Sequence, residues 1–307
     1  MHSHNHGHDH SHHHQVTLTN VNTAFIIGIT LNFVFVVVEV ITGLIIHSVS
    51  LLSDAGHNLA DVAGLGLSLL AYRLLKIKAN EQYTYGYKKT SVIVALFNAV
   101  VLLISIGAIA YEAILRFIHP EPLPGLSIAI VAGIGIFVNA ISAYLFMQDK
   151  EKDINIKAAY LHLMFDALVS FGIVVGGILI YFTHWYWLDS ALSIVIVVVL
   201  ISGTWKLLLQ SYRLSVDGVP ENIDLEKLKS LALKIDGVKD LHHIHVWAIS
   251  TTQNALTAHL VIADDIPVQQ EKQIKHRLKH DFEHSNIQHC TLETEREADR
   301  CAAVNCK

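Results

Sequence analysis

Six apolar runs dominate the first 210 residues of the chain and restrict its fold more than any other feature. A helix needs about 20 apolar residues to cross the hydrocarbon core of a bilayer, and each run is at least that long. The runs are Ala24–Ile46, Leu51–Leu75, Thr90–Ile118, Leu126–Met147, Ile156–Phe182 and Leu188–Leu209. The sequence therefore predicts an all-α domain of six transmembrane helices.

Charge is distributed unevenly along the chain. Hydrophobic residues make up 52% and charged residues only 16%, too apolar a composition for an ordinary soluble domain. Charges are sparse from Ala24 to Leu209 and dense after Asp217. This pattern predicts four segments. Residues 1–22 are a His-rich flexible cytosolic tail, and residues 23–212 are a transmembrane domain. Residues 213–295 are a cytosolic domain, and residues 296–307 are a flexible Cys-containing tail.

The basic residues predict the orientation of the spans, because Lys and Arg flank spans mainly on the cytoplasmic side. They concentrate in two loops, between spans two and three and between spans four and five: Arg73, Lys76, Lys78, Lys88, Lys89, Lys150, Lys152 and Lys157. Both termini are then cytoplasmic, and the compact loops favour a bacterial inner membrane. Trp185 and Trp187 are expected in the outer interfacial belt.

Short amphipathic segments follow the last span. Their order is helix, strand, strand, helix, strand, which predicts a small α+β domain of ferredoxin-like type. The predicted segments are Ile223–Ile235, Leu241–Ile249, Ala255–Ile262, Pro267–His284 and Ile287–Glu293. Its edge strands favour dimer contacts.

Two spans carry the same short motif. Span two contains His57 and Asp61, and span five contains His162 and Asp166, both with H-x-x-x-D spacing. Residues at i and i+4 share a helix face, so each helix presents an imidazole and a carboxylate together. Ionisable groups within spans cost about 2.5–3.5 kcal/mol each on insertion scales, which favours a functional role.

Two imidazoles and two carboxylates suit a tetrahedral zinc site whose charges balance a divalent ion. Cadmium, cobalt and nickel are further candidates. Histidine titrates near neutrality and binds metal only when neutral, so the sequence predicts zinc export in exchange for protons. The alternative is that each His pairs with its own Asp and ties helices together. Asn32, Asn98 and Asn139 are predicted to form hydrogen bonds between helices.

Other candidates surround this predicted site. Asp54 precedes His57 by one turn; it either supports the metal ligands from outside the coordination sphere or lies near the outer end of the span. The tail Met1–His14 holds eight histidines, a composition that binds metal without folding. Ser, Asn, Gly and Asp residues interrupt these histidines, which favours a natural metal-gathering arm over a cloned affinity tag.

The cytosolic domain offers a possible second metal site. His242, His259 and His289 fall on three successive predicted strands, and a regulatory zinc ion there is one interpretation. Ordinary surface histidines are the other. Three cysteines, Cys290, Cys301 and Cys306, are an odd set that suits free thiols or ligands better than disulfides.

Several function classes are disfavoured. A net charge of −5 without a basic, aromatic-rich patch argues against nucleic acid as a partner. Neither a nucleotide-binding G-x-x-x-x-G-K-[ST] motif nor an H-E-x-x-H metalloenzyme motif is present, and no organic cofactor is expected. The two alternatives kept are an intramembrane zinc metalloenzyme and a membrane metal sensor.

The chain resembles the zinc-exporting branch of the cation diffusion facilitator family over nearly its whole length. The resemblance rests on Ser50–Asp61, Tyr85–Lys89, Ala158–Asp166, Asp217–Pro220 and His242–Trp247. It implies a homodimer that exchanges zinc for protons, with His57, Asp61, His162 and Asp166 as transport ligands. It also implies a cytosolic zinc site at His242, His259 and His289, where Cys290 or Glu293 would replace an acidic residue of other members. Tyr87 stands where some members carry a metal-binding His.

Overall fold

The structure is a computed structural model that describes residues 21–45, 49–118, 125–183 and 187–298. Most of the His-rich tail, together with Cys301 and Cys306, lies outside the described residues, as do Trp185 and the side chain of Trp187. The backbone of Asp54 and of His57 lies in a helix, but their side chains are also outside the description. The predictions made for these groups stay predictions.

Six long helices precede the first strand within the described part of the chain. They have 22 to 30 residues each. Their bounds are α1 Val21–Ile45, α2 Val49–Leu74, α3 Thr90–Ile118, α4 Gly125–Phe146, α5 Ile154–Thr183 and α6 Trp187–Ser215. These helices coincide with the six apolar runs to within a few residues at most of their ends.

Large apolar side chains lie on the outer surface of these helices as well as at the contacts between them. Phe33, Phe137 and Val198 are more than half exposed, at 51%, 71% and 63%. Soluble monomers rarely expose so many apolar groups over one surface, whereas hydrocarbon chains are a compatible solvent for them. By length and composition, two described helices qualify as membrane spans, Asn22–Ile45 and Thr90–Leu115. For the other helices, spanning stays a prediction.

Small side chains and buried amides connect the helices. Ala95, Ala99 and Ala158 are buried, which allows close helix approach. The amide of Asn32 on α1 donates to the hydroxyl of Ser142 on α4 at 3.2 Å. Asn98 on α3 donates in the same way to Ser68 on α2 at 2.7 Å. The prediction of interhelical bonds is confirmed for these two asparagines.

The remaining described residues form a small mixed sheet with two helices. The elements are α7 Leu225–Leu233, β1 Val238–Ala248, β2 Asn254–Ile262, α8 Val268–His284 and β3 His289–Arg296. β2 lies between β1 and β3. β3 runs parallel to β2, since the N–H of Glu297 donates to the carbonyl of Ile262 while Glu295 contacts His259. This confirms a small α+β domain, while the finer ferredoxin-like assignment stays a prediction.

The helices of this domain follow ordinary sequence rules. The side chain of Asp224 accepts hydrogen bonds from the N–H groups of Glu226 and Lys227, at 3.0 and 3.2 Å, and caps α7. On α8, Ile274, Leu278 and Phe282 recur every four residues and are all buried. The domain therefore has a modest core of its own.

The β1–β2 turn belongs to the same compact unit as the six helices, which includes residues 18–223 and 245–255. The hydroxyl of Thr251 donates to the buried carboxylate of Asp153, and the N–H of Thr251 donates to Ser91 at 3.1 Å. Asp153 also accepts from the N–H of Asn155 at 2.7 Å. Burial raises the pKa of Asp153, while these hydrogen bonds oppose the shift. The start of α5 is thereby fixed at its first turn.

Candidate metal centre

Helices α2 and α5 bring three of the four predicted transport ligands together. Nε2 of His162 lies 2.9 Å from Oδ1 of Asp61 and 3.5 Å from Oδ2 of Asp166. Asp61 and His162 are 7% and 9% exposed, so both lie inside the bundle. The packing of α2 against α5 thus joins the two H-x-x-x-D motifs at one point.

The fourth predicted ligand, His57, belongs to the same helix as Asp61. Its backbone lies in α2, four residues before Asp61, a spacing that places both residues on one helix face. Asp54 lies a further three residues toward the start of α2. Because neither side chain is described, their contacts with the other three ligands stay predictions.

The spacing of the described ligand atoms fits a small divalent ion. One ligand atom from each of Asp61, His162 and Asp166 lies within 4.8 Å of the other two. Bonds of about 2.0–2.1 Å in a tetrahedral site place neighbouring ligand atoms about 3.3 Å apart. The two distances from His162, 2.9 and 3.5 Å, bracket that value. The spacing between His162 and each of the two carboxylates is therefore compatible with a tetrahedral metal site.

A cavity of about 30 Å³ adjoins this cluster. It lies between α2, α3 and α5, and Asp61 and His162 form part of its wall. The other lining residues are Gly64, Leu65, Ser68, Asn98, Val101, Leu102, Ser105, Ala158 and Ala159. Asp61 and His162 thus face a partly polar space between these helices.

A second group of possible ligands lies on the sheet. His242 on β1, His259 on β2 and Glu295 on β3 place ligand atoms within 4.8 Å of one another. Oε1 of Glu295 contacts Nδ1 of His259, and Oε2 lies 3.5 Å from Nε2 of His242. That nitrogen of His242 is buried and makes no hydrogen bond with the described residues. Buried polar atoms are normally hydrogen-bonded, so a buried nitrogen without such a bond is a candidate ligand for a metal ion.

This group differs from the predicted set in one member. His242 and His259 come together as predicted, but His289, the first residue of β3, is not part of the group. Glu295, the seventh of the eight residues of β3, takes its place. Residues 289, 291, 293 and 295 alternate onto one face of β3, so strand periodicity contained the signal for Glu295.

Two further features shape the sheet cluster. His243 has a left-handed backbone, with φ at 52°, and its ring lies 4.9 Å from that of His259, which also lies 5.4 Å from the ring of His242. Strand alternation is therefore broken at this point. Burial raises the pKa of the Cys290 thiol to about 11, so it stays protonated at neutral pH. Cys290 is not part of the group formed by His242, His259 and Glu295.

Comparison with known proteins gives the family of the chain. Residues 25–214 match the family described as the cation efflux transmembrane domain, and residues 220–297 match the cytoplasmic domain of cation efflux proteins. The chain belongs to the cation diffusion facilitator family. It is an integral membrane protein and a transporter of metal cations, not an enzyme.

Three relatives illustrate the branch of the family. The cadmium, cobalt and zinc/H(+)-K(+) antiporter of Bacillus subtilis is 34% identical over 86% of each chain. The metal cation efflux system protein CzcD of Cupriavidus metallidurans is 34% identical over 88% of this chain and 85% of its own. The zinc transporter ZitB of Pectobacterium atrosepticum is 34% identical over 92% and 86%. The diffusion facilitator described here thus groups with zinc, cadmium and cobalt transporters.

Proposed function

We propose that the chain exports Zn²⁺ from the cytoplasm in exchange for protons, through one site formed by His57, Asp61, His162 and Asp166. The observation that carries the proposal is the position of His162 Nε2 between two carboxylates from different helices. Loading this site joins α2 to α5, so release of the ion would free the two helices to move. Such a site suits transport, because its occupancy is linked to helix packing.

The ligand types select among ions. Imidazole and carboxylate together favour zinc, and Cd²⁺, Co²⁺ and Ni²⁺ are further substrates that fit the same donors. Calcium and magnesium prefer shells made entirely of oxygen. The names of the relatives, which mention zinc, cadmium and cobalt, support the same choice. Zinc is therefore the principal substrate in this proposal.

Proton exchange follows from the same side chains. Metal binding requires neutral imidazoles and ionised carboxylates, so protons compete with zinc for every ligand. An imidazole titrates in the physiological range, which lets one face of the membrane favour metal and the other favour protons. The word antiporter in the name of the B. subtilis relative supports this coupling.

The proposed architecture completes the transporter. Six helices within residues 23–212 span a bacterial inner membrane, with both termini in the cytoplasm. Residues 213–295 form a cytosolic ferredoxin-like domain, and two chains form a homodimer through it. Residues 1–22 gather metal from the cytosol, and residues 296–307 form the cysteine-containing tail. The match of residues 220–297 to the cytoplasmic domain of cation efflux proteins supports the placement of the second domain.

Zinc accumulation in everted membrane vesicles tests this function. Vesicles from cells producing the chain are expected to concentrate radioactive zinc above the external level, while vesicles without it do not. A membrane metal sensor or an intramembrane metalloenzyme would bind zinc without sustained accumulation. Uptake that stops at the few equivalents of zinc that the chain itself can bind would contradict the proposal.

We further propose that the sheet cluster binds a regulatory zinc ion through His242, His259 and Glu295. Replacing Glu295 by glutamine is expected to weaken zinc binding at this site at least tenfold, because an anionic ligand becomes neutral. Calorimetric titration of the full chain measures it, in an Asp61→Ala, Asp166→Ala background that removes the membrane site. Glu297→Gln is the matched control, since Glu297 follows β3 directly and pairs with Lys239 at 3.4 Å. Equal titrations of the two variants would reject this site.

A further inference from the structure

We infer that the cavity beside the metal ligands is a transit site for a partly hydrated divalent cation, and that Asn98 contacts the ion there. This inference rests on the proposed function and adds a residue outside the four ligands. Asn98 belongs to α3, which contributes no predicted ligand. Its role would be to receive the ion before it reaches Asp61 and His162.

The position of the cavity suggests entry rather than exit. From Asp61 it extends along α2 to Ser68, seven residues or about 10 Å toward the end of that helix. On α5 it reaches Ala158 and Ala159, one turn before His162. It therefore extends toward the end of the bundle where the basic loop between α2 and α3 lies. In the proposed orientation this end is cytoplasmic.

The lining of the cavity is suited to water and an ion. About 30 Å³ holds roughly two water molecules, since one needs about 10–15 Å³ measured in this way. Ser68 is 1% exposed and Asn98 is 8% exposed, and both line the cavity together with Asp61, His162 and Ser105. The amide of Asn98 donates to Ser68 at 2.7 Å, and this bond orients its side-chain oxygen.

That oxygen of Asn98 lies over Gly64. A Cβ added to Gly64 would stand 3.8 Å from Asn98 Oδ1, an ordinary van der Waals distance. The missing side chain at Gly64 therefore keeps space open in front of an amide oxygen, one helical turn from Asp61. Hydroxyl and amide oxygens of this kind replace or bind the water molecules of a divalent ion.

A second asparagine provides an internal control for the structural alternative. Asn98 could serve only to hold α3 against α2. Asn32 makes the same bond, from its amide to Ser142 at 3.2 Å, and is as buried at 6%, but it does not line the cavity. Loss of helix packing would affect Asn98→Ala and Asn32→Ala alike, whereas loss of an ion contact would affect Asn98→Ala alone.

Zinc transport by four variants in proteoliposomes tests the inference. Asn98→Ala is expected to raise the zinc concentration for half-maximal transport about fivefold, with the maximal rate within twofold, because a binding contact on the entry route is lost. Gly64→Ala is expected to raise this concentration similarly, since its methyl group fills part of the cavity without touching any of the four proposed metal ligands. Asn32→Ala and Gly66→Ala are expected to change neither value more than twofold. Nothing lies within 4 Å of a Cβ at Gly66, which makes it the control on the same helix.

Two results would overturn the transit site while leaving the transporter intact. One is equal kinetics of Asn98→Ala and Asn32→Ala; the other is equal kinetics of Gly64→Ala and Gly66→Ala. Failure of the proposed function gives a different result, because wild-type proteoliposomes would then accumulate no zinc. Thermal unfolding of each variant in detergent identifies any that fold poorly. If Asn98→Ala folds poorly, Gly64→Ala and Gly66→Ala still test the inference. Alanine favours a helix more than glycine does, so these two variants are expected to fold.

Discussion

Asp61→Asn is expected to lower zinc transport about 100-fold or more while leaving the protein folded. The substitution keeps the shape of the side chain and removes the charge that a divalent ion needs from α2. Asp61 is 7% exposed and lies 2.9 Å from His162, so its replacement by a neutral amide leaves the ion with one anionic ligand fewer in a poorly solvated site. Removing a charge from an apolar interior also lowers its desolvation cost, so the fold should tolerate the change. Initial rates of zinc entry into proteoliposomes measure the effect.

Asp149→Asn is the control for this substitution. Asp149 is another buried carboxylate, 5% exposed, but it follows α4 and pairs with Lys152 at 2.7 Å. We expect this variant to keep more than half of the wild-type rate. A transport rate above one tenth of wild type for Asp61→Asn would remove Asp61 from the ligand set.

A pH gradient is expected to set how far zinc can be concentrated. A tenfold change in an equilibrium ratio corresponds to about 1.4 kcal/mol, which is also the free energy of one proton moving through one pH unit. Each exchanged proton should therefore raise the limiting zinc ratio about tenfold per unit of pH gradient. Proteoliposomes with an acidic interior should concentrate zinc, and a protonophore that dissipates the gradient should release it.

The direction of the gradient is the control for this second prediction. With an alkaline interior, the same proteoliposomes should lose zinc loaded beforehand, because protons then move inward and zinc moves outward in exchange. Accumulation that is the same with either gradient, or with none, would show that protons are not the exchanged ion. The metal site could still be correct in that case, but its coupling would have another source.

The helices and the cluster of Asp61, His162 and Asp166 could be predicted from the sequence because both depend on local patterns. The apolar run Thr90–Ile118 and helix α3 have the same bounds, since polar loops flank a continuous apolar segment. The H-x-x-x-D spacing placed an imidazole and a carboxylate on each of α2 and α5. Their meeting at His162 depends on helix packing, which the sequence indicated only through the repetition of the motif.

The sheet cluster was harder to predict because it depends on where a strand ends. The predicted third strand stopped at Glu293, where apolar residues end, but β3 continues to Arg296. A backbone hydrogen bond from Glu297 to Ile262 extends the pairing with β2 beyond that point. The sequence therefore yielded no prediction for Glu295, which groups with His242 and His259 in the structure, and indicated His289 instead. The left-handed residue His243, which breaks strand alternation, has no signal in the sequence.

The cavity of the bundle was also outside the reach of sequence patterns. Asn98 was predicted only as a group that joins helices, and its bond to Ser68 confirms that part. That they also line a space beside Asp61 follows from three helices meeting, which no single helical period predicts. Buried polar residues at helix contacts are thus ambiguous until the space around them is known.

Simultaneous recording of zinc and proton movement in proteoliposomes tests the central claim most directly. The claim is that one buried site joining α2 and α5 carries zinc in exchange for protons. Wild-type protein should show a proton flux that begins on zinc addition and runs in the direction opposite to zinc entry, whereas Asp166→Ala should show neither flux. Normal zinc entry by the Asp166→Ala variant, with or without proton movement, would contradict the proposed site.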